Sequence, residues 1–405
     1  MHLFMKNISQ NLILLFFQGI VFYGSCKRAQ TTKPLIELEQ NTGINFENTV
    51  VDGKLENSFL FRNFYNGGGV AIGDINNDGL ADIFLTSNMG DNKIYLNKGN
   101  FKFEDITSHT GIVQDSMWST GVVFVDINND GWLDIYVCNS GHMSSGHRKN
   151  KLYINNHDLT FTESSAQYGL DISAYTTQVS FFDYDNDGDL DCFMINNSPV
   201  PVNTLNNSNR RDLPDKDWPV EDFLKGGGDH LFRNDNGHFT EVTREAGIHG
   251  SLISFGLGVS VGDVNGDGYP DVFVSNDSYE RDYLYINQKN GTFKDELENY
   301  FEHTSFSSMG ADLADINNDG YPEIFTTDML PEDDYRLKTL GAFDNIDVYN
   351  AKLKAGFYHQ YVKNCLQLNN KNGKFLEIAD YAGVSASDWS WGALMFDMDN
   401  DGYND

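Results

Sequence analysis

Six nonapeptides concentrate the chemistry of this sequence. They are DINNDGLAD (74–82), DINNDGWLD (126–134), DYDNDGDLD (183–191), DVNGDGYPD (263–271), DINNDGYPE (315–323) and DMDNDGYND (397–405). The shared pattern is D-x-[ND]-x-D-G-x-x-[DE], with Asp at positions 1 and 5 and Gly at position 6 of every copy. Oxygen-bearing side chains at alternate positions of a tight loop suit a hard cation, and calcium in particular. The candidate ligands are Asp74, Asn76, Asp78 and Asp82; Asp126, Asn128, Asp130 and Asp134; Asp183, Asp185, Asp187 and Asp191; Asp263, Asn265, Asp267 and Asp271; Asp315, Asn317, Asp319 and Glu323; and Asp397, Asp399, Asp401 and Asp405. The carbonyl of the seventh residue can join them, and the ninth carboxylate is expected to close the site. Magnesium suits the pattern less, because it demands a stricter octahedron and retains water. A metal-free Asn/Asp/Gly turn would account for one copy; six copies with acids at positions 1, 5 and 9 point to about one Ca²⁺ per loop.

The elements that hold these loops are short strands. An EF-hand would need Glu at position 12, where this chain has Leu85, Val137, Met194, Val274 and Thr326. The residues after the loops (IFLTS, IYVCN, CFMIN, VFVSN, IFTTD) and before them (GVAIG, GVVFV, VSFF, GVSVG, GADLA) are β-branched and aromatic. Each loop therefore joins two strands of a hairpin. A third segment follows (KIYLNKG, KLYINN, HLFRND, YLYINQ, CLQLNN), then a fourth (FKFEDIT, TFTESSA, HFTEVTR, TFKDELE, KFLEIAD), then TGI, YGL, AGI or AGV. The copies start 52, 57, 80, 52 and 82 residues apart, too far for tandem nonapeptide calcium repeats. Four strands per repeat, with one oxygen-rich hairpin each, read as blades of an all-β propeller. The blades fall at about 64–112, 118–172, 175–249, 255–301 and 306–384, with a truncated sixth at 389–405.

The D-x-[ND]-x-D-G-x-x-D hairpin inside a four-stranded repeat resembles the FG-GAP/VCBS repeats of integrin-α-type propellers. The stretch FRNFYNGGGVAIGDINNDGLADIF and the recurring F-x-[ED]-x-[TA]…[AT]GI resemble bacterial and cartilage-acidic-protein-like members, which often carry an ASPIC/UnbV domain after the propeller. The resemblance spans about residues 40–405 and implies a propeller with calcium in its loops. PLIELEQNTGI (34–44) resembles a fourth strand plus TGI, and so reads as an outer strand closing a last blade. On that reading residues 34–405 form part of a larger, seven-bladed propeller.

Composition bounds the partners. The chain has 405 residues, 40% hydrophobic and 13% aromatic, and a formal net charge of −31. Of its 59 acidic residues 21 lie in the six nonapeptides, so six bound dications would bring the net charge to −19. With no basic patch, nucleic-acid binding is not expected. The N-terminus, MHLFMKNISQNLILLFFQGIVFYGSCKRAQ, has one Lys, a short apolar run and small residues before Cys26. It reads as a signal peptide (1–25) with a lipoprotein cleavage box, Cys26 becoming a lipid anchor before a linker (26–33); an ordinary signal peptide is the plainer alternative. Lys27 in place of an aspartate favours the outer membrane. Cys138, Cys192 and Cys365 read as buried free thiols rather than a disulfide framework.

The face opposite the calcium hairpins is the expected ligand face. Two of the connections there are long, about 196–229 and 327–363, and hold Trp218, Phe223, Tyr335, Phe343, Tyr349, Phe357, Tyr358 and Tyr361. Eight residues before four of the loops stand Trp118, Tyr175, Phe255 and Trp389, while Asn66 and Ser307 interrupt the series. Together these rings suggest a collar at the mouth of the central channel, where they would stack on a sugar or grip a protein side chain; the alternative is that they pack between blades. Arg210, Arg211 and the HMSSGH segment (142–147) read as solvated loop residues. No nucleophile elbow, zinc-protease motif or phosphate loop appears. The expected function is a surface-anchored module that binds a glycan or protein ligand. The alternatives are the propeller of a glycan-active enzyme, or a scaffold for a further domain.

Overall fold

Strand content follows the repeat closely. The computed structural model describes residues 36–405 except 55, 114–116, 142–146, 201–210, 212, 278–279 and 341–345. The expected signal peptide, Cys26, the linker, Arg210, Phe343 and most of HMSSGH lie outside the described residues. The chain divides into Met1–Gln40 and Asn41–Asp405, and all the blades belong to the second unit.

Blade one contains β1 (Val70–Gly73), β2 (Asp82–Leu85), β3 (Lys93–Asn97) and β4 (Phe103–Asp105). Blade two contains β5 (Ser119–Val125), β6 (Asp134–Asn139), β7 (Lys151–Asn155) and β8 (Phe161–Glu163). Blade three contains β9 (Thr176–Phe182), β10 (Asp191–Asn196), β11 (His230–Asn234) and β12 (Phe239–Glu241). Blade four contains β13 (Gly256–Gly262), β14 (Asp271–Asn276), β15 (Tyr283–Asn287) and β16 (Phe293–Asp295). A short parallel pair, β17 (Thr304–Ser305) with β20 (Gln360–Tyr361), flanks blade five, which contains β18 (Ala311–Ala314), β19 (Glu323–Thr326), β21 (Cys365–Asn369) and β22 (Phe375–Glu377). Every blade is an antiparallel meander with its strands in chain order. The first strands β1, β5, β9, β13 and β18 neighbour one another in series, so the sheets are arrayed side by side as blades of a propeller. Residues 389–405 form the sixth loop and no strand, and residues 36–44 form no strand either.

The second strands show why the pattern is apolar at consecutive positions. β6, β10 and β14 are buried at all six residues, because a blade covers each face of its neighbour. Outer strands are three residues long. Their Phe residues (Phe161, Phe239, Phe293, Phe375) are buried while the residues beyond are largely exposed. The recurrent exit turn has a specific task. The N–H of Phe161 donates to the Thr110 carbonyl of the preceding blade, and that of Phe293 donates to Ala246, both at 2.7 Å. The following Gly111 and Gly247 have φ of +78°, and a Cβ there would sit 2.9 and 2.7 Å from the same outer strand's carbonyl. Only glycine meets both demands. Thr42 and Gly43 hold this place on blade one, with the Phe103 N–H 2.7 Å from the Thr42 carbonyl.

Cys138, Cys192 and Cys365 are buried free thiols. Burial pushes all three up from the ordinary thiol range, which leaves them as inert apolar fillers.

In four of the five blades the residue before the third strand caps the end of the second; in blade three Asp229 stands there with both carboxylate oxygens buried and without a partner among the described residues. Asn92 Oδ1 accepts the Ser87 N–H at 2.8 Å, Asn150 Oδ1 accepts Asn139 at 2.8 Å, and Asn364 Oδ1 accepts Asp328 at 2.7 Å. Blade four uses Asp282, which accepts the Asn276 N–H and the Ser308 hydroxyl, each at 2.9 Å. Burial pushes the Asp282 carboxyl up to about 7. Its raised pKa means the ionised form is disfavoured by folding; that penalty is present above the folded value and fades as pH falls toward the unfolded one. Asp282→Asn keeps the acceptor and matches Asn92, Asn150 and Asn364 of blades one, two and five. It should therefore stabilise the protein by about 1–3 kcal/mol at pH 8, with the gain shrinking toward pH 5. Urea unfolding at the two pH values measures this, and a pH-independent difference would contradict it.

Candidate functional site

All six loops share one hydrogen-bonding scheme. The first Asp accepts the N–H of the fifth residue through Oδ1 at 2.9–3.1 Å. Its Oδ2 accepts the glycine N–H at 2.7–2.9 Å. The fifth Asp in turn accepts the N–H of the seventh residue at 2.9–3.0 Å. The fourth residue is left-handed in every copy, with φ between +55° and +74°. Asn tolerates that conformation best among residues with a side chain, and blade four places Gly266 there.

The ninth residue, expected to close the site, also ties the hairpin together. Its outer oxygen accepts the N–H of the second loop residue at 3.0–3.2 Å in all six copies. In the first five, the other oxygen accepts a backbone N–H from the third strand: Asn97, Asn155, Asn234, Asn287 and Asn369. Asp82, Asp134, Asp191, Asp271 and Glu323 are buried. Burial pushes Asp134 up to about 6, and Asp191 and Asp271 up to about 7, against the opposing pull of those N–H donors. These five residues tie the base of the hairpin.

The third-strand asparagine is a functional residue outside the set expected from sequence, although it stands in every third segment. Its side-chain NH₂ donates to the carbonyl of the eighth loop residue in its own blade at 2.8–3.3 Å. In three blades it also reaches the preceding loop: Asn155 to the Ile75 carbonyl at 2.8 Å, Asn287 to Tyr184 at 2.7 Å, and Asn369 to Val264 at 2.8 Å. A second link runs the other way. Asn77, Asn186 and Asn318 donate to the glycine carbonyls of the next loop, Gly131, Gly268 and Gly402, at 3.0, 3.3 and 2.8 Å. These bonds join loops one and two, and loops three to six, into a belt along one face.

The donors fit a hard cation. Asp183, Asp185 and Asp187 each offer an oxygen within 4.8 Å of the others, and Asp397, Asp399 and Asp405 do the same. Asp185 Oδ1 and Asn265 Oδ1 are buried acceptors with no hydrogen-bond partner among the described residues. Both stand at loop position 3. Burial, with the charges of Asp187 and Asp183, pushes the Asp185 carboxyl up; a dication would reverse that shift. In loops one and two, Asn76 and Asn128 donate to Asp78 and Asp130 at 3.0 and 2.9 Å, so positions 3 and 5 are adjacent there too. In loop five, Asn317 donates to Glu323 instead, at 3.1 Å. Three loops carry a nitrogen against the fifth Asp: His157 Nε2 at 3.1 Å from Asp130, Lys289 Nζ at 3.3 Å from Asp267, and Lys371 Nζ at 3.2 Å from Asp319.

On the opposite face the expected collar is covered. Trp118, Tyr175 and Phe255 are 5%, 3% and 0% exposed. The short turn Arg62–Tyr65 lies across them. Phe64 packs on Trp118 at 5.1 Å, Phe61 lies 6.0 Å from Trp118 and 6.3 Å from Tyr175, and the Arg62 guanidinium stands 5.4 Å from the Phe255 ring and pairs with Asp277. Trp389 alone of the four is exposed, at 66%. The long connections pack in part on each other, with Val200, Trp218, Leu252, Ile253, Phe255 and Phe357 in one core, while Phe223, Tyr335 and Tyr361 stay exposed. Trp218 is therefore buried, and its indole N–H donates to the Leu213 carbonyl at 3.0 Å. Arg211, expected to be solvated, is held by both Glu280 carboxylate oxygens at 2.8 Å and by the Gly356 carbonyl at 2.7 Å. It joins the two insertions to blade four.

The repeat, its loops and its belt define a class. The FG-GAP-like repeat pattern matches residues 74–137, 141–194, 223–274 and 263–326, more than half of the chain, and the chain belongs to that family. Among curated proteins it is 32% identical over 163 residues to cartilage acidic protein 1 of Xenopus tropicalis, covering 40% of this chain and 24% of that one. To the Homo sapiens protein of the same name it is 29% identical over 133 residues, covering 33% and 20%. The match thus spans about a quarter or less of the length of these relatives. Among solved structures, an Agrocybe aegerita lectin that recognises non-reducing terminal N-acetylglucosamine overlaps 75% of this chain and 63% of its own, at 15% identity and a TM-score of 0.37. The V. cholerae biofilm matrix protein Bap1 overlaps 67% and 35%, at 16% identity and a TM-score of 0.32.

The inter-blade amide link carries a prediction. Asn155→Ala removes the side-chain bonds to the Ile75 and Leu133 carbonyls and the one accepted from the His157 N–H, and should destabilise the protein by about 2–3 kcal/mol in urea unfolding. A loss below about 0.5 kcal/mol would show that water replaces the amide freely.

Proposed function

We propose that this chain is an exported, calcium-stabilised binding module, held at the outer membrane through a lipid on Cys26, that engages a glycan or protein ligand. The observation that carries the metal part is the all-oxygen loop with an orphaned buried acceptor at position 3, seen at Asp185 and Asn265. Calcium bound there supplies the positive charge that convergent carboxylates otherwise lack. The loop residues' own part is to orient: backbone N–H groups fix the first and fifth Asp, and the ninth residue fixes the hairpin base.

The binding part rests on architecture. The face away from the belt is built from long insertions joined by Arg211, and loops of this kind carry recognition more often than strands do. The 21 loop acids are accounted for by the proposed metal sites and so give no support to a general acid/base pair, which ranks the enzyme reading lower. No helix among the described residues is long and apolar enough to cross a membrane. A lipid at Cys26, with its neighbouring basic Lys27 and Arg28, is the proposed anchor.

Chelation tests the reading. Calcium-loaded protein should bind in a glycan array or an envelope-protein pull-down, and EDTA should lower both the binding and the Tm, with calcium restoring them better than magnesium. Each site at a hundredfold excess of calcium over its dissociation constant adds about 2.7 kcal/mol. An unchanged Tm would remove calcium from the account, and no binding in either format would remove the module. The lysines against the loops give a finer expectation. Lys371→Met removes a positive charge beside Asp319 and should tighten calcium at loop five by about threefold or more in calorimetry.

A further inference from the structure

A cavity of about 280 Å³ lies where the innermost strands begin. Its wall comes from the approaches to β1, β5, β9 and β13, from the covering turn at Phe61, and from Trp391. None of its described lining residues is charged, in a chain of net charge −31. Three lining side chains hold buried polar atoms with no hydrogen-bond partner among the described residues: the Asn66 amide nitrogen, the Ser140 hydroxyl and the Asn197 amide oxygen. Ser140 and Asn197 are 1% and 2% exposed. All three are set by chain position: Asn66 stands where blades two, three and four have a ring, Ser140 directly follows β6, and Asn197 directly follows β10.

The chemistry of this wall selects its occupant. An ion finds no opposite charge there, and desolvating one unpaired is strongly unfavourable. An apolar ligand would leave an amide donor, a hydroxyl and an amide acceptor dry. A peptide chain needs more room and a charged or aliphatic anchor. A ring of hydroxyls both donates and accepts, so one such ring can satisfy all three groups, while its C–H face covers an indole. We propose that the cavity takes one uncharged sugar unit, the terminal pyranose of a glycan. This rests on the binding-module reading and narrows its ligand. The pocket is smaller than a drug-sized site, which suits a single ring rather than an internal segment of a polysaccharide.

The probes are methyl glycosides of neutral hexoses and N-acetylhexosamines, with glucuronate and glucosamine as charged counterparts. They are titrated into the calcium-loaded full chain by calorimetry and saturation-transfer NMR. At least one neutral glycoside is expected to bind, and its charged counterpart to bind at least about tenfold more weakly. Ser140→Ala and Trp391→Ala should each lower that affinity about tenfold. Neither should lower the Tm, because the Ser140 hydroxyl bonds nothing among the described residues and Trp391 is half exposed. Absence of any glycoside binding would overturn the inference and assign the cavity to ordered water. Glycans that bind the protein with both variants silent would overturn it too, but would leave the binding module intact at another surface. A protein ligand captured without any glycan would have the same consequence.

Discussion

One buried carboxylate per blade holds the loop face together. Asp82, Asp134, Asp191, Asp271 and Glu323 each bridge the second residue of the hairpin to the backbone of the third strand. A carboxylate in that position is costly to bury, and its raised pKa records the cost. It persists because two backbone N–H groups that would otherwise be orphaned converge on it. The same third-strand residue carries the asparagine amide that crosses to the preceding loop. Hairpin shape and blade-to-blade spacing are therefore fixed by one local arrangement, and the candidate ion sites inherit their geometry from it.

That dependence explains how a chain of net charge −31 can gather 21 acids into six short loops. The acids at positions 1 and 5 are partly neutralised by loop N–H groups, a small fixed positive field akin to a nest. His157, Lys289 and Lys371 offset the fifth Asp in blades two, four and five without entering the loop backbone. Loop three has five acids and, among the described residues, no such nitrogen and a buried oxygen with nothing to accept from. The six loops are alike in backbone and unlike in charge, so a dication would meet a graded series of sites rather than six equal ones.

Much of this was legible in the residues. Alternating glycine, oxygen-bearing and β-branched positions are local signals, and they place the hairpins, the four strands per blade and the free thiols where the structure has them. What escaped depends on partners far away in the chain. The third-strand asparagine recurs visibly, yet its acceptor lies 80 to 105 residues earlier. Spacing located Trp118, Tyr175 and Phe255 at the inner ends of their blades. It could not show that a turn from Arg62 to Tyr65, outside the repeat, lies over them. Arg211 looked like a solvated loop cation because Glu280 and Gly356 belong to two other blades.

The covering turn changes what the axial face can recognise. Open rings would favour broad, flat contact with many ligands. With Phe61 and Phe64 seated on Trp118 and Tyr175, ring surface is withdrawn, and what remains at the axis is a small uncharged hollow bounded by amides and hydroxyls. The Arg62–Asp277 pair pins the same turn to blade four, so the hollow is shaped by residues from four blades at once. Its dimensions then depend on the spacing of those blades, which the belt on the other face sets through the buried carboxylates and their asparagines. Ions in the loops would thus bear on the axial hollow through rigid second strands of six residues, with no moving part required.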